Sequence, residues 1–225
     1  MGRKTKVIAE ADPAYAGQAA YTPALLRVYD TIVLRISNRW VWRCPTSKLV
    51  AHYEANVGPD HLDAGPGTGY FLDVADLPQL RGLVLVDANP AVLQHAGRRL
   101  ARFEPELLEA NVLVPIDHPG GVDSAGCNYV LHCLLGTLGE KGEAIANLTR
   151  LLRPGGVLFG STILAEPQGL TALGRRLLEA YNRKGVFGNV SDTRAELERM
   201  LAEHLTHLEI EIQGAVAVFR GTRPA

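Results

Sequence analysis

The 225-residue chain has few of the residues that several common classes of protein require. Its three cysteines, Cys44, Cys127 and Cys133, form no C-x-x-C pair, and no histidine stands at zinc-ligand spacing from them. The odd count predicts reduced thiols in a cytoplasmic protein without a metal site. No apolar run reaches the roughly 18 residues of a membrane span, and the basic N-terminus is not followed by the apolar segment of a secretory signal.

An excess of charge of one sign is also lacking. The chain has 23 Lys and Arg against 24 Asp and Glu, for a formal net charge of -1. Nucleic-acid binders usually carry a clustered basic excess, so we expect no nucleic-acid partner. With 47% hydrophobic residues, the chain can bury the core of a single α/β domain. We expect a monomer or homodimer that acts on a small molecule and has no membrane partner.

Strand and helix patterns alternate through most of the chain. Helices are predicted at about 25–40, after Pro45 and at about 141–152, and the first strand is predicted at 61–64. Further strands are predicted at 82–87, 106–110, 124–130 and 156–164, and a hairpin at 205–213 and 215–221. This order predicts an α/β, Rossmann-like, mostly parallel sheet with helices on both faces and a C-terminal antiparallel hairpin. We divide it into an N-terminal arm and helical lid (1–57) and a core (58–225), as one domain overall.

The stretch HLDAGPGTGYFLD, at positions 61–73, is the clearest binding motif in the chain. Gly65 and Gly67 fit the dinucleotide fingerprint G-x-G-x-x-G, but its third position is Tyr70, and the glycine comes one residue early at Gly69. The phosphate-loop pattern G-x-x-x-x-G-K-[ST] is absent as well. The loop therefore does not match either of the common phosphate-binding motifs.

The charges around this loop favour a cationic ligand. No lysine or arginine lies between His61 and Leu80, so no cation is available to bind a phosphate. Asp63 precedes the first glycine and suits an ammonium or sulfonium group. Asp87, at the end of the next strand, can accept hydrogen bonds from both hydroxyls of a ribose. A ribose without pyrophosphate and a positive charge together indicate S-adenosylmethionine.

Four segments in register resemble the class I S-adenosylmethionine-dependent methyltransferases of small molecules. They are D-x-G-x-G-x-G at 63–69, LVLVDANP at 83–90, GVDSAGCNYVLHCL at 121–134 and LLRPGGVLFGSTIL at 151–164. The resemblance extends from about Asp60 to the C-terminus and implies a seven-stranded sheet whose last strand is antiparallel. The segment NRWVWRCPTSKL is similar to bacterial methyltransferases of specialised metabolism, some of which methylate carbon.

The resemblance also implies roles for individual residues in binding S-adenosylmethionine. The three glycines would line its methionine portion, with Asp63 beside the amino group and Asp87 on the ribose. Asn111 is open to two interpretations, a turn residue or an adenine contact, because many relatives carry an acid there. The remaining expected contacts are Ala88 and Asn89 flanking the adenine, Val112 beside Asn111, and Asn128 facing the sulfonium.

Methyl transfer from a sulfonium needs alignment, exclusion of water and, for some acceptors, a base. His52 and His132 are the candidate catalytic bases, although a structural histidine at a helix start explains His132 equally well. His52 is predicted to point inward, on a helix face shared with Tyr53. For any single aromatic residue core packing is the simpler explanation, but as a group they favour a substrate pocket: Tyr21, Tyr29, Trp42, Tyr129 and Phe187.

We predict methyl transfer to carbon or nitrogen of a small aromatic or heteroaromatic metabolite, such as an indole, by in-line displacement. The alternatives are O-methylation of a small metabolite, an NAD(P)-dependent reductase and a nucleoside-binding protein without catalysis. A short-chain reductase would need Tyr-x-x-x-Lys, and the nearest match, Tyr181 with Lys184, has the wrong spacing.

Overall fold

The computed structural model describes residues 37–166 and 168–225. Over these residues the chain forms a seven-stranded sheet and six α-helices. The strands are β1 (Asp60–Ala64), β2 (Gly82–Asp87), β3 (Glu106–Glu109), β4 (Val122–Asn128), β5 (Leu152–Ile163), β6 (Thr206–Gln213) and β7 (Val216–Thr222). The helices are α1 (Thr46–Asn56), α2 (Tyr70–Val74), α3 (Pro90–Arg99), α4 (Leu138–Leu151), α5 (Ala172–Arg183) and α6 (Arg194–Ala202), with short 3-10 turns at Ala101–Phe103 and Leu131–Cys133.

The strand order confirms the predicted architecture. The strands run β3-β2-β1-β4-β5-β7-β6 across the sheet, with β1 to β5 parallel. β7 pairs antiparallel with both β5 and β6, as the terminal hairpin predicts. The chain reverses direction across the sheet between β1 and β4, so the carboxyl ends of these two strands border the crevice in which such folds bind ligands.

The apolar run of β2 explains why the sheet is covered on both faces. Leu83 and Leu85 pack with residues of α1, α2 and α3, including Tyr53. Val84 and Val86 point to the opposite face, into the core formed with α4 and α6. Because successive strand residues point to opposite sides, four consecutive apolar residues fit a strand that is buried on both faces.

Several predicted boundaries were wrong, and three of the differences have an identifiable local reason. α4 begins at Leu138 rather than 141, because Thr137 and Glu140 form a capping box that extends the helix by a turn. β4 ends at Asn128 rather than 130, because Tyr129 has φ +58° and leaves the extended conformation. β5 begins at Leu152 rather than 156, where Leu152 pairs with Val122.

The segment just before α1 attaches to the sheet through a backbone hydrogen bond. The amide of Ala215, just before β7, donates to the carbonyl of Trp42 at 2.8 Å. Most of the helix predicted at 25–40 lies outside the described residues, as do the predicted pocket residues Tyr21 and Tyr29. None of the helices in the described ranges is both long enough and apolar enough to cross a membrane.

Candidate active site at the carboxyl ends of the central strands

The three glycines of the β1–α2 loop have positive φ values of 66°, 56° and 75° for different structural reasons. A Cβ at Gly65 would lie 2.5 Å from Cγ2 of Val130, and one at Gly69 would lie 3.1 Å from Leu100. A Cβ at Gly67 would have no atom within 4 Å. Gly65 and Gly69 therefore allow tight packing, whereas Gly67 leaves bare backbone where a ligand can lie.

Asp63 is a buried carboxylate with few protein donors. The residue is 2% exposed. Its carboxylate accepts a hydrogen bond from the Tyr53 hydroxyl, whose oxygen lies 3.1 Å from Oδ1 and 3.4 Å from Oδ2. Gly126 on the neighbouring strand β4 makes room for it, because a Cβ there would overlap with Oδ1 of Asp63. A buried carboxylate is stable when charged or hydrogen-bonding partners surround it, so this position suits a cationic ligand group.

Two further buried polar atoms near this acid lack partners among the described residues. Nδ1 of His61 lies 2.8 Å from Oγ of Ser124, but its Nε2 is unpaired and lies 3.8 Å from Oδ1 of Asp63. Oδ1 of Asn128 accepts a hydrogen bond from Ser161 at 3.1 Å, and its Nδ2 is unpaired. Buried polar groups are normally satisfied, so these orphans fit a ligand with polar and charged groups at this end of the site.

The ribose end of the expected site is formed by the carboxyl end of β2. Oδ1 of Asp87 accepts the amide of Asn89 at 2.8 Å, and burial raises the pKa of the Asp87 carboxyl to about 7. Oδ1 of Asn89 accepts the amide of Ala91 at 2.9 Å and caps α3. The two residues thus divide the tasks, since Asn89 starts the helix and the Asp87 carboxylate stays at the rim beside the buried Ala88.

The turn after β3 lies beside Asp87. The carbonyl of Asp87 accepts the amide of Ala110 at 3.1 Å, which joins the ends of β2 and β3. Oδ1 of Asn111 accepts the amide of Leu113 at 2.9 Å, so its side chain shapes the turn. Asn147 on α4 donates from Nδ2 to the carbonyl of Val112 at 2.9 Å and fixes the turn from behind. An adenine contact of Asn111 stays a prediction.

Aromatic rings gather around His132, in the turn after β4. The ring centroid of His132 lies 4.6 Å from that of Phe187 and 5.5 Å from that of Tyr129, both edge to face. Phe187 also lies 4.9 Å from Tyr181 and 6.2 Å from Trp42. The structure thus brings together the three described residues that were predicted as pocket walls, Trp42, Tyr129 and Phe187, and adds Tyr181. We call these four residues with His132 the aromatic cluster.

The surroundings of His132 define which ring nitrogen carries the proton. The amide of Ile163 donates to its Nδ1 at 3.3 Å, and the Thr162 hydroxyl lies 3.5 Å from the same atom. Nδ1 is therefore an acceptor, and the neutral ring carries its proton on Nε2. Burial, with a smaller contribution from the Lys141 charge, lowers the pKa of His132 to about 3. In this arrangement His132 can donate a hydrogen bond, and accepting a proton at Nε2 would require the ring to turn away from Ile163.

His52 occupies a different environment from His132. Its Nε2 lies 3.0 Å from the carbonyl of Phe219 on β7, and its Nδ1 lies 3.2 Å from Nδ2 of Asn56. The ring packs edge to face on Phe159 at 5.2 Å, and burial lowers its pKa. Nε2 anchors α1 to β7, and Nδ1 contacts Asn56 on the same helix. The two candidate bases thus have different contacts, His52 with β7 and α1 and His132 with the end of β5.

Tyr53, His61 and Gly126 were missed as site residues in the sequence. Tyr53 carried a signal, because it shares a face of α1 with Leu49, which is buried as well. His61 and Gly126 lie inside strands and become site residues only through the pairing of β1 with β4, which no local pattern specifies.

Comparison with known proteins is consistent with this geometry. A protein-family model described as a methyltransferase domain matches residues 62–158. Demethylluteothin O-methyltransferase of Streptomyces thioluteus is 35% identical over 206 residues, which cover 91% of this chain and 90% of that protein. The physcion biosynthesis cluster O-methyltransferase of Aspergillus chevalieri is 33% identical over 215 residues, which cover 94% and 97%. Among solved structures, N-methyltransferase NodS from Bradyrhizobium japonicum WM9 in complex with S-adenosyl-L-homocysteine superposes with a TM-score of 0.60 at 17% identity, covering 80% of this chain and 88% of NodS.

Proposed function

The chain belongs to the S-adenosylmethionine-dependent methyltransferases that act on small molecules, and from this we propose that it methylates the hydroxyl oxygen of a small phenolic or enolic metabolite. The observation that carries the proposal is the aromatic cluster around a histidine whose Nδ1 accepts a hydrogen bond, which leaves Nε2 as a hydrogen-bond donor. The names of the Streptomyces thioluteus and Aspergillus chevalieri relatives, both O-methyltransferases, support a hydroxyl acceptor.

The aromatic cluster favours a flat, conjugated acceptor, because its members supply ring faces and edges against which such a molecule can pack. Phenols and enols conjugated with a carbonyl ionise near neutral pH, so such an acceptor can enter as its anion without a protein base. The Nε2–H of His132 would then donate a hydrogen bond to the oxyanion and hold it in place.

The acceptor that we propose differs from the predicted indole for a chemical reason. Methylation of an indole carbon would require a group that removes the ring proton as the new bond forms. The contacts of Nδ1 make Nε2 of His132 the donor, and His52 is engaged with Phe219 and Asn56. A hydroxyl that is conjugated with a carbonyl can lose its proton to solvent before it binds and needs no base at either position, which is why we favour oxygen over carbon and nitrogen.

We assign the cofactor-binding roles as follows. Asp63 would accept the ammonium group, Gly67 would offer bare backbone to the methionine chain, and Asp87 would accept the ribose hydroxyls. When bound, S-adenosylmethionine supplies an activated methyl group whose carbon an oxyanion can attack, with the carbon–sulfur bond breaking and S-adenosylhomocysteine as the leaving group. The chain itself contributes alignment of the acceptor and exclusion of water. The other residues that we predict to lie against the cofactor are Gly65, Gly69, Ala88, Asn89, Asn111, Val112 and Asn128.

The direct experiment is an assay of S-adenosylhomocysteine release with S-adenosylmethionine and a matched set of acceptors. Phenols, β-dicarbonyl enols, indoles and aromatic amines of similar size are compared at equal concentration. Turnover restricted to the phenols or enols supports the proposal. Turnover of indoles or amines in preference to hydroxyl compounds refutes it, and tight cofactor binding without turnover of any compound favours a binding protein that lacks catalysis.

A further inference from the structure

The acid before the glycine loop is oriented by a residue from outside the loop. Among the described residues, the Tyr53 hydroxyl is the only side-chain donor within 3.5 Å of the Asp63 carboxylate, and it reaches both oxygens. His61 approaches only to 3.8 Å. Because Asp63 is 2% exposed, water can supply few of the hydrogen bonds that its carboxylate does not receive from the protein. A single hydroxyl therefore determines which lone pairs of this carboxylate remain for a ligand.

The Tyr53 side chain is held rigidly enough to perform this task. Its ring stacks on Phe71 with centroids 5.3 Å apart and planes 17° apart, and the edge contact with Phe159 has a centroid distance of 5.2 Å. The residue is 2% exposed, and burial followed by the Asp63 charge raises its pKa well above the usual value. The hydroxyl thus keeps its proton and donates it.

We propose that Tyr53 is a positioning residue for the ammonium group of S-adenosylmethionine, acting through Asp63. By sharing one proton between both oxygens, the hydroxyl holds the carboxylate plane fixed and leaves its outward lone pairs for the ligand. This inference rests on the proposed function, since it assumes that the site takes an amino-acid nucleoside. Tyr53 lies at position 53, before the residues 62–158 that match the methyltransferase domain model, so α1 contributes to the cofactor site from outside the matched segment.

The test compares two ligands that differ by one amino group. Isothermal titration calorimetry measures the Kd of S-adenosylhomocysteine and of its deaminated analogue, which has hydrogen in place of the ammonium. The variants are Tyr53→Phe, Asp63→Asn as the reference for a lost ammonium site, and Tyr70→Phe as the matched control beside the same loop. Thermal unfolding of each variant checks its fold.

Tyr53→Phe is expected to weaken S-adenosylhomocysteine about tenfold or more, the size of a lost hydrogen bond to a charged group, and to leave the analogue within about twofold. Asp63→Asn should remove the difference between the two ligands, and Tyr70→Phe should change neither. Equal weakening of both ligands by Tyr53→Phe, or no weakening of either, overturns the positioning role. A wild type that fails to bind S-adenosylhomocysteine would overturn the proposed function. A wild type that binds it, together with a Tyr53→Phe variant that binds it equally well, would overturn only the positioning role of Tyr53.

Discussion

The amide of Ile163 lies 3.3 Å from Nδ1 of His132 and fixes the ring as a donor through Nε2. Since β5 provides this amide from its last residue, the sheet itself selects the tautomer. A histidine held in this way can donate a hydrogen bond through Nε2, and under the proposed function it would hold the acceptor oxyanion by that bond.

His132→Leu should therefore lower kcat by about 10- to 150-fold, the equivalent of the 1.5–3 kcal/mol of a hydrogen bond to a charged group. His132→Gln, whose amide can still donate, should retain more of the activity. The measurement is steady-state kinetics with a phenolic acceptor, with S-adenosylhomocysteine affinity as the control for an intact cofactor site. A Gln variant as impaired as the Leu variant would contradict the donor role.

The pKa of Asp87, raised to about 7 by burial, predicts that cofactor binding depends on pH. The carboxylate accepts ribose hydroxyls better than the carboxylic acid, so affinity should rise as the pH passes upward through about 7. The ionised fraction changes by about tenfold between pH 6 and 8, which sets the limit of the change in Kd for S-adenosylhomocysteine.

Calorimetry at several pH values checks this dependence. Asp87→Asn should bind more weakly at high pH and should show a flat profile over the same range. A wild-type profile that is flat, or a variant that keeps the full pH dependence, would remove Asp87 from the ribose site.

The absence of a side chain at Gly126 on β4 leaves room for the Asp63 carboxylate. A methyl group at this position would overlap with Oδ1 of Asp63 and would touch His61. Gly126→Ala should destabilise the fold by about 1–3 kcal/mol through overpacking and should weaken S-adenosylhomocysteine by displacing the acid. Gly139→Ala, in the exposed first turn of α4, is the matched control; it should leave the affinity unchanged and should stabilise the fold by up to about 1 kcal/mol, because alanine favours a helix over glycine. Unfolding in urea measures the stability of both variants. An unimpaired Gly126→Ala variant would show that Asp63 has another stable position.

The segment that carries Phe187 is fixed by a buried ion pair. Nζ of Lys141 lies 2.6 Å from Oδ2 of Asp192 and donates to the carbonyl of Gly188 at 2.9 Å, and both charged side chains are fully buried. Lys141→Met should therefore cost about 3–5 kcal/mol of unfolding free energy, because it leaves an uncompensated buried carboxylate. The double variant Lys141→Met with Asp192→Asn should cost less than the sum of the single variants. Lys184→Met, on the surface, serves as the control, and additive losses would argue against a coupled pair.

The sequence predicts the sheet well because its signals are local. The apolar run at Leu83–Val86 and the turns around Gly65 and Gly214 each specify a strand or a reversal by themselves, and their order specifies the topology. The ends of β4 and β5 were less predictable. They depend on the positive φ of Tyr129 and on the pairing of Leu152 with Val122, neither of which has a sequence signal.

The residues of the candidate site also fall into two groups, those with a local sequence signal and those placed by contacts between distant segments. Asp63, Asp87 and the glycines stand in a motif and could be proposed as ligand contacts from sequence. The hydroxyl of Tyr53 reaches Asp63 only because α1 packs on the sheet face beside β1. Likewise, His132 looked like a base from its residue type, and the amide of Ile163 across the fold decides its tautomer. The type of a residue shows which chemistry is possible, and contacts between segments distant in sequence determine which of these possibilities the fold allows.

The most direct test of the account is to identify the atom that is methylated. The protein is incubated with S-adenosylmethionine labelled isotopically in its methyl group and with an acceptor that carries a phenolic hydroxyl, an aromatic amine and an unsubstituted ring carbon, and the product is analysed by NMR. We predict that the label appears as a methoxy group on the phenolic oxygen. Label on nitrogen or ring carbon, with none on oxygen, would contradict the account.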